Sequence, residues 1–564
     1  AQKWRKLTAD NIGKRIAIVL DDNVYSAPTV QGEIPNGNSS ISGSFTVDEA
    51  KDLANILKAG KLPAPTRIVE EAIVGPTLGQ EAINQGVLST LAGILLVVIF
   101  MFMYYNKGGI VANVALVFNL FFILGIMAQL NSVLTLPGIA GIVLTIGMAV
   151  DANVLIFERI REELKAGRKY QEAISLGYEK AFWSIFDANV TTLLAGVILL
   201  YLGSGPVKGF AITLIIGIFC SFFTAVYITK VLLSWLYKMK NPVELPFETG
   251  ISKNLFKNFN YDFIGKRKLA YAFSSSIIVL GIICTIINGG LNLGVDFKGG
   301  RYYVVRFEQP VVASDIRSQV VPFFQNTGTE VKTFGSNNQV KVTTSYLIEQ
   351  ESTESDNLVR SALDKGLVKY GKKYEVMSSS KVGATIADDI MRTSILSMIL
   401  AIIGIFIYVL FRFRNRSFGF GGVVALFHDA ILVLALFSIL HTFGISFEID
   451  QVFIAAILTI VGYSINDTVV IYDRIREVQE QNPLADLATS LNQAINFTFS
   501  RTIMTAFTVL LVVIILLLFG GEVLRGFSLA LLIGVVSGSY STIYIAVPIV
   551  LDFYTKKDTK GLDS

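Results

Sequence analysis

Charge, cysteine and histidine are all scarce in this chain. Asp, Glu, Lys and Arg make up 16 % of the 564 residues, against 52 % hydrophobic, which is too apolar for a soluble protein of this length. The two cysteines, Cys220 and Cys284, sit far apart within apolar runs. That excludes a disulfide framework and points to free thiols in apolar surroundings. His428 and His441 are the only histidines, too few to suggest a zinc centre. The net charge of +4 is small and the basic residues form no single patch, so nucleic acid is not an expected partner. The hydrophilic segments contain no phosphate-binding glycine loop, nucleophile elbow or HExxH pair, so neither an enzyme activity nor a cofactor is expected. An initiator Met is missing too: the first residue is Ala1, amid soluble-looking sequence.

Long apolar runs dominate what is there. Eleven are long enough to cross a bilayer, taking about 20 residues as the requirement. They lie near 86–105, 109–130, 134–157, 186–203, 209–236, 270–288, 392–412, 419–442, 451–473, 502–520 and 526–551. The expectation is a polytopic α-helical protein in a lipid bilayer, with five spans in the first half and six in the second. The odd count suggests that an N-terminal span and part of a soluble domain are missing. Basic residues gather in alternate connections: Arg159, Arg161, Lys165, Arg168, Lys169 and Lys180 in 158–185; Lys238 to Lys268 in the 237–268 linker; Arg412, Arg414 and Arg416 near 412–418. The positive-inside rule places these on the cytoplasmic side and segments 1–80 and 290–385 on the opposite side.

Both soluble segments read as small α+β units. In the first, strands at Arg15–Leu20 and Val24–Tyr25 flank the turn at Asp21, Asp22 and Asn23. Thr46 to Glu49 forms a capping box opening a helix to about Leu57, ended by Gly60. In the second, Tyr302–Phe307 alternates like a strand and Ser314–Phe324 has helical spacing. Glu330–Thr333 and Gln339–Thr343 flank a turn at Gly335, Asp356–Leu367 is helical and Tyr374–Ser378 is a strand. That β-α-β-β-α-β order predicts a ferredoxin-like domain, which names no activity.

Two apolar stretches nearly repeat. Gly147-Met-Ala-Val-Asp151-Ala-Asn153-Val-Leu-Ile-Phe-Glu158-Arg159-Ile-Arg161-Glu162 is matched 315 residues later by Gly462-Tyr-Ser-Ile-Asn466-Asp467-Thr468-Val-Val-Ile-Tyr-Asp473-Arg474-Ile-Arg476-Glu477. An acid inside a span costs about 2.5–3.5 kcal/mol on insertion scales, so each must be protonated, paired or hydrated. Asp151 aligns with Asn466, and Ala152 with Asp467, so the two acids need not be equivalent. Gly147 leaves room for a neighbouring helix. Asp187, Thr191 and Thr192 align at offset 314 with Arg501, Thr505 and Ala506, so a cation opens a span where its counterpart opens with an acid. An arginine facing the same core favours a charged carboxylate, and its release favours proton uptake. Asn119 aligns at offset 310 with Asp429, which adjoins His428. Asp151, Asp467 and Arg501 are the candidate ion-coupling residues. Asn153, Asn466, Thr468, Asp187, Thr191, His428 and Asp429 are supporting polar groups. Asp187 also fits a helix cap, and His428–Asp429 a structural contact. Glu158, Arg159, Arg161, Asp473, Arg474 and Arg476 read as solvated anchors or salt bridges at helix ends. The residues leave the coupling ion open between H+, which Asp and Arg suit, and Na+, which Asn153, Thr191 and Thr468 would serve with oxygen ligands.

These residues closely resemble the SecD and SecF family, the two fused in one chain. The SecD-like marks are Gly-Lys61-Leu-Pro63-Ala-Pro, Gly147 to Asn153, Phe186 to Thr192 and Gly209-Phe-Ala-Ile-Thr. The SecF-like marks are Gly294-Val-Asp296-Phe-Lys-Gly-Gly300, Gly462 to Asp467, and Ser500-Arg501-Thr502. The resemblance implies a resistance-nodulation-division type fold. It divides the chain into a remnant of the first periplasmic domain (1–80), a SecD-like membrane half (81–237), a cytoplasmic linker (238–268), and a first SecF-like span (269–289). A periplasmic ferredoxin-like domain (290–385), five further spans (386–555) and a cytoplasmic tail (556–564) complete it. The mobile head of the first domain is expected to be absent. The implied function is an auxiliary of the Sec translocase in the bacterial inner membrane, driven by a proton or sodium gradient, with Asp151, Asp467 and Arg501 as coupling residues. Implied partners are the SecYEG translocon, SecA indirectly, accessory membrane proteins of the YidC and YajC type, and unfolded secreted preprotein. A small-molecule or lipid efflux transporter of the same superfamily, and a purely structural translocon scaffold, are the alternatives.

Overall fold

The structure is a computed structural model. It describes residues 1–20, 23–47, 49–51, 53–54, 68, 70–238, 245–255, 259–350 and 352–553. The Asp21–Asp22 turn, the end of the capped helix at Leu57 and Gly60, the Lys61–Pro63 motif and the 556–564 tail lie outside them. The chain divides into two compact units, Ala1–Val69 with Glu351–Thr353, and the remainder.

In the first unit, helix α1 (Gln2–Ala9) precedes an antiparallel pair, β1 (Ile18–Leu20) and β2 (Asn23–Ser26). The expected strands are present, the first shorter than read and the second one residue longer at each end, with an isolated bridge between Arg15 and Thr29. The helix itself was not legible as such. The expected capping box forms: Thr46 N donates to Glu49 Oε2 at 2.8 Å and Glu49 N to Thr46 Oγ1 at 3.3 Å.

The second unit holds the sheet and the membrane-type helices. Strand β3 (Glu70–Val74) leads into α2 (Pro76–Gln129), followed by α3 (Leu136–Lys165), α4 (Tyr170–Leu202) and α5 (Gly205–Tyr237). Then come α6 (Arg267–Ile287), β4 (Gly300–Phe307), α7 (Ala313–Val320), β5 (Thr329–Phe334), β6 (Ser336–Thr344), α8 (Thr353–Tyr370) and β7 (Tyr374–Val382). Helices α9 (Ala384–Phe413), α10 (Arg416–Thr442), α11 (Gln451–Gln481), α12 (Leu487–Phe519) and α13 (Glu522–Asp552) close the chain.

Ten helices among the described residues are long and apolar enough to cross a membrane. The first, at 54 residues, would be about 80 Å long as one rod, far beyond a bilayer. It is broken at Asn106, whose φ of 55° is non-helical. The broken helix supplies the first two of the eleven expected spans.

The strand order is β3-β7-β4-β6-β5, antiparallel throughout. Strands β4 to β7 have the ferredoxin-like arrangement read from the sequence. Strand β3 corrects the domain boundary: Glu70 to Val74 pair with Val382 to Ser378, so this segment joins the later sheet rather than the 1–80 unit. A strand without an apolar face pattern carries no signal of its partner, and all five of its residues are exposed on the sheet edge.

Two connections read as loops are helical. Helix α3 runs on to Lys165 and α4 begins at Tyr170, and α12 begins 15 residues before Thr502. Ion pairs one turn apart support the extension of α3, and likewise of α11 to Gln481, as in Arg161 Nη1–Glu158 Oε1 at 2.7 Å and Arg474 Nη1–Glu477 Oε2 at 2.6 Å.

The two repeat-related helices are the centre of the bundle. Buried residues make up 89 % of the apolar window in α3 and 94 % in α11, against 22–72 % for the others. Helix α3 packs on α12, and its counterpart α11 packs on α4. Each half thus contributes a helix to the other's central contact. Glycine makes the approach possible: a methyl on Gly147 would lie 3.4 Å from Val509 Cα, and one on Gly462 3.1 Å from Thr192 Cα. The reciprocal contacts describe a pseudo-twofold arrangement of parallel repeats about an axis along the helices. Each half also carries one π-helical turn, Thr224–Ile228 in α5 and Thr542–Ala546 in α13, a feature frequent at functional sites.

Candidate ion-coupling site

Near that axis, α3 carries Asp151, α11 carries Asn466 and Asp467, and α12 carries Arg501. Asp151 is 6 % exposed, Asp467 2 % and Arg501 5 %. Arg501 Nη2 lies 3.8 Å from Asp467 Oδ1, an ion pair without a close hydrogen bond. Asn466 Nδ2 donates to Asp151 Oδ2 at 2.8 Å. The repeat-aligned residues Asp151 and Asn466 therefore meet each other. Residues related by a twofold axis touch when they lie on it, and a one-residue offset then puts Asp467 beside the arginine.

Much of the hydrogen-bonding capacity here is unspent. Asp151 Oδ1, both Asp467 oxygens, and Arg501 Nε and Nη1 are buried without hydrogen-bond partners. Unmade bonds of buried charged groups are costly. A cavity of about 40 Å³ lies against Asp151, Asn466, Arg501, Tyr463 and Ser184, room for a very few waters.

Of the supporting groups, only Asn466 joins this cluster by a hydrogen bond. Thr191 Oγ1 donates to its own helix at Ala188 O, 2.9 Å, and Asn153 Nδ2 to Ala149 O, 3.3 Å. Asn153 Oδ1 has no partner. Thr468 Oγ1 lies 2.8 Å from Thr542 Oγ1. Of the three oxygens proposed as sodium ligands, the two hydroxyls thus pair with different neighbours and Asn153 Oδ1 has none.

Asp187 is not a helix cap. It lies within α4, 1 % exposed, and takes Arg412 Nε at 2.8 Å and Tyr408 Oη at 2.6 Å. Arg412 Nη2 also reaches Asp473 Oδ1 at 3.3 Å, and Ser184 Oγ donates to Asp473 Oδ2 at 3.1 Å. Asp473, half-buried, is therefore a salt bridge, as expected, in a cluster bridging α4, α9 and α11. Its neighbours also behave as salt bridges: Arg159 Nη2 meets Glu477 Oε2 at 3.3 Å across the two halves. Arg412 was legible only as an orientation signal, because a charge at a span end usually faces water.

A third cluster links the sheet to α11. Asp450 caps α11 by accepting from Phe453 N at 2.8 Å, and Asp296 Oδ2 accepts from Gln451 N at 3.0 Å. Lys341 of β6 pairs with Glu448 at 2.6 Å. Burial, together with the nearby Asp296 carboxylate, pushes Asp450 up to about 7, and burial raises Asp296 as well.

The family model described as protein export membrane protein SecD/SecF, C-terminal, matches residues 57–239 and 362–556. The SecD/SecF GG motif matches 286–311. Residues 1–64 match the SecDF P1 head subdomain. That corrects the expectation of a chain without the head, whose short strands carry none of the repeat or span signals on which the sequence reading rested. The SecDF protein translocase subunit of Bacillus subtilis is 36 % identical over 93 % of this chain and 72 % of its own. That of Brucella abortus is 34 % identical over 98 % and 71 %. The crystal structure of SecDF from Thermus thermophilus, described as a translocon-associated membrane protein, superposes with a TM-score of 0.80 at 36 % identity, over 98 % of this chain and 73 % of its own. A duplicated bundle with an acid in each central helix, and these matches along nearly the whole length, place the chain in the SecD/SecF family of protein export membrane proteins.

Proposed function

We propose that this multi-pass membrane protein, an auxiliary subunit of the Sec translocase by its family, is driven by ions passing the Asp151–Asp467–Arg501 cluster. The observation that carries this reading is a buried arginine that pairs with Asp467 of one half, shares a cavity with Asp151 of the other and leaves most of its hydrogen bonds unmade. A proton arriving on Asp467 cancels its attraction for Arg501. At 3.8 Å and an effective dielectric near 20, that attraction is about 4 kcal/mol. One charge crossing 100 mV supplies about 2.3 kcal/mol. Supply and demand are of the same size, so an ion can switch the pairing. Because α3 and α11 each pack on the other half, a change in pairing shifts the halves against one another. The sheet, tied to α11 through Asp296 and Lys341, passes the shift to the soluble side, where secreted preprotein emerges from the SecYEG channel after the SecA step.

The ion is H+ in this reading, since ionisable carboxylates form the cluster and the Thr191 and Thr468 hydroxyls are engaged elsewhere. The setting is the bacterial inner membrane, with both soluble units outside the cytoplasm, following the basic connections; YidC and YajC type proteins are the expected accessory neighbours. The efflux reading gains nothing from the site, whose cavity of about 40 Å³ falls far short of the roughly 300–1,000 Å³ of a drug-sized pocket. The test is preprotein release from sealed inverted vesicles carrying the full-length protein, wild type against Asp467→Asn, with a proton gradient and then a sodium gradient. Gradient-stimulated release lost in the variant at normal protein level supports the reading and identifies the ion. Unchanged release refutes it in favour of a scaffold.

A further inference from the structure

A second buried acid lies in the membrane region, away from Arg501. Asp429 sits at the middle of α10 and is 0 % exposed. Its Oδ2 accepts from Ser464 Oγ of α11 at 2.6 Å and from Ser541 Oγ of α13 at 2.7 Å. Its Oδ1 lies 3.0 Å from Nδ1 of His428. His428 is buried too, and its Nε2 has no hydrogen-bond partner. Among the described residues, no arginine or lysine pairs with Asp429.

The other half of the molecule shows that the fold does not need this charge. The position of Asp429 is held there by Asn119, also 0 % exposed, whose Nδ2 donates to Thr224 Oγ1 at 3.4 Å. The 315-residue offset places Ala149 opposite Ser464, and the matching π turns place Phe223 opposite Ser541. The carboxylate and both hydroxyls that serve it are thus absent together from the first half, where an amide makes the equivalent helix contact. An ionisable group kept mid-span where a neutral one suffices for packing marks a functional position.

We propose that His428 and Asp429 form a second proton-binding site, linked through Ser464 to the ion-coupling residue Asp467. One proton is shared between Asp429 Oδ1 and His428 Nδ1, and with His428 Nε2 also protonated the pair is neutral. Release of the shared proton to water breaks that O–H or N–H bond and leaves one negative charge on Asp429, which the Ser464 and Ser541 hydroxyls stabilise by donation. Ser464 lies one turn before Asp467 on α11. Its carbonyl accepts from Thr468 at 3.3 Å and from Thr542, the first residue of the π turn, at 3.4 Å. A change of charge on Asp429 therefore pulls on the turn of α11 that presents Asp467, and on the turn of α13 where the helix is already locally widened.

Helix α10 packs against α6, α9, α11 and α13. The ring of Tyr540 of α13 lies 6.0 Å from that of His428, and its Oη is engaged with Ala270 O and Ser274. The other titratable groups on these helices include Tyr271 and Cys284 of α6, Asp388, Asp389 and Tyr408 of α9, Tyr463, Asp467, Tyr472 and Asp473 of α11, and Tyr544 of α13. Arg412 of α9 is held by Asp187 and Asp473, and Asp552 of α13 by Arg267.

The inference rests on the ion-driven reading, and the experiment separates the two. Infrared difference spectra between acid and alkaline pH are recorded on the full-length protein in vesicles for wild type, Asp429→Asn, Asp467→Asn and His428→Asn. Gradient-stimulated preprotein release is measured on the same samples. The expected result is that Asp429→Asn, which installs the residue type of the first half, deletes a titrating carboxyl band different from that deleted by Asp467→Asn. Release falls roughly tenfold or more. His428→Asn moves the Asp429 band without deleting it, which holds the test open should Asp429→Asn fail to fold. Unchanged bands with full release at every pH, or loss of thermal stability alone, overturns the site. A band that responds to sodium at fixed pH overturns the proton assignment. Silent Asp429→Asn beside inactive Asp467→Asn refutes only this inference; silence of both refutes the ion-driven reading itself.

Discussion

Replacing Arg501 with glutamine removes the positive charge from the central cluster while keeping a donor on the same helix. The partner is then an uncompensated carboxylate, Asp467, 2 % exposed. Breaking one side of a buried pair costs about 3–5 kcal/mol, and the direct attraction across 3.8 Å is about 4 kcal/mol at an effective dielectric of 20. Asp467→Asn orphans the arginine instead, less severely, because Asp151 also acts on it electrostatically. In the double variant neither charge is orphaned, so its cost falls short of the sum of the singles by about 1–3 kcal/mol. The assay is reversible unfolding in mixed micelles for all four proteins, with gradient-stimulated release measured in parallel. Stability should partly recover in the double variant while release stays lost, since neither member of the pair is left unmatched but the Asp467–Arg501 ion pair itself is gone. Costs that add to within about 0.5 kcal/mol would refute an energetic pairing between Asp467 and Arg501.

Arg412→Ala leaves Asp187 buried without its cation and should cost about 3–5 kcal/mol, against about 1 kcal/mol for the lost hydrogen bond of Tyr408→Phe, both read by the same unfolding assay. Gly281→Ala drives a methyl into the Cα and Cβ of Ala435 and should cost about 1–3 kcal/mol by overpacking the α6–α10 contact, seen as a lowered Tm. The joint at Asp450 should be pH-sensitive. Its carboxyl is raised from 3.8 to about 7 in the folded protein, so the folded state holds a proton that the unfolded state has lost. That stabilisation is complete below the unfolded value and is lost as pH rises through about 7. Thermal unfolding measured from pH 5 to 8 should show the decline, and Asp450→Asn should flatten it.

Some features were legible from residues alone because they depend on one segment at a time. Hydropathy gave the spans, including the two that share α2 across Asn106. The β-α-β-β-α-β order gave the ferredoxin-like sheet, since alternation and turn residues are local. Gly147 was read as room for a neighbour, and it faces Val509 of the other half. Strand β3 was not legible as part of that sheet, because an edge strand exposed along its length bears no mark of where it pairs. Nor were Arg412, Ser184, Ser464 and Ser541 as partners of buried or half-buried acids: serine and arginine at such positions are ordinary in isolation and acquire meaning only from what they face.

The sequence by itself determined which charged groups lie inside apolar runs and which positions the two halves share, because both are properties of spacing along the chain. Only the tertiary structure decided who meets whom. Asp151 takes its hydrogen bond from Asn466, Asp467 faces Arg501, and Asp187 binds Arg412 instead of capping its helix. Those pairings depend on how α3 and α11 cross the partner half, which small residues on both sides of each contact fix together. No single segment carries that information, since a helix face is chosen only when its neighbour's groove is present to receive it.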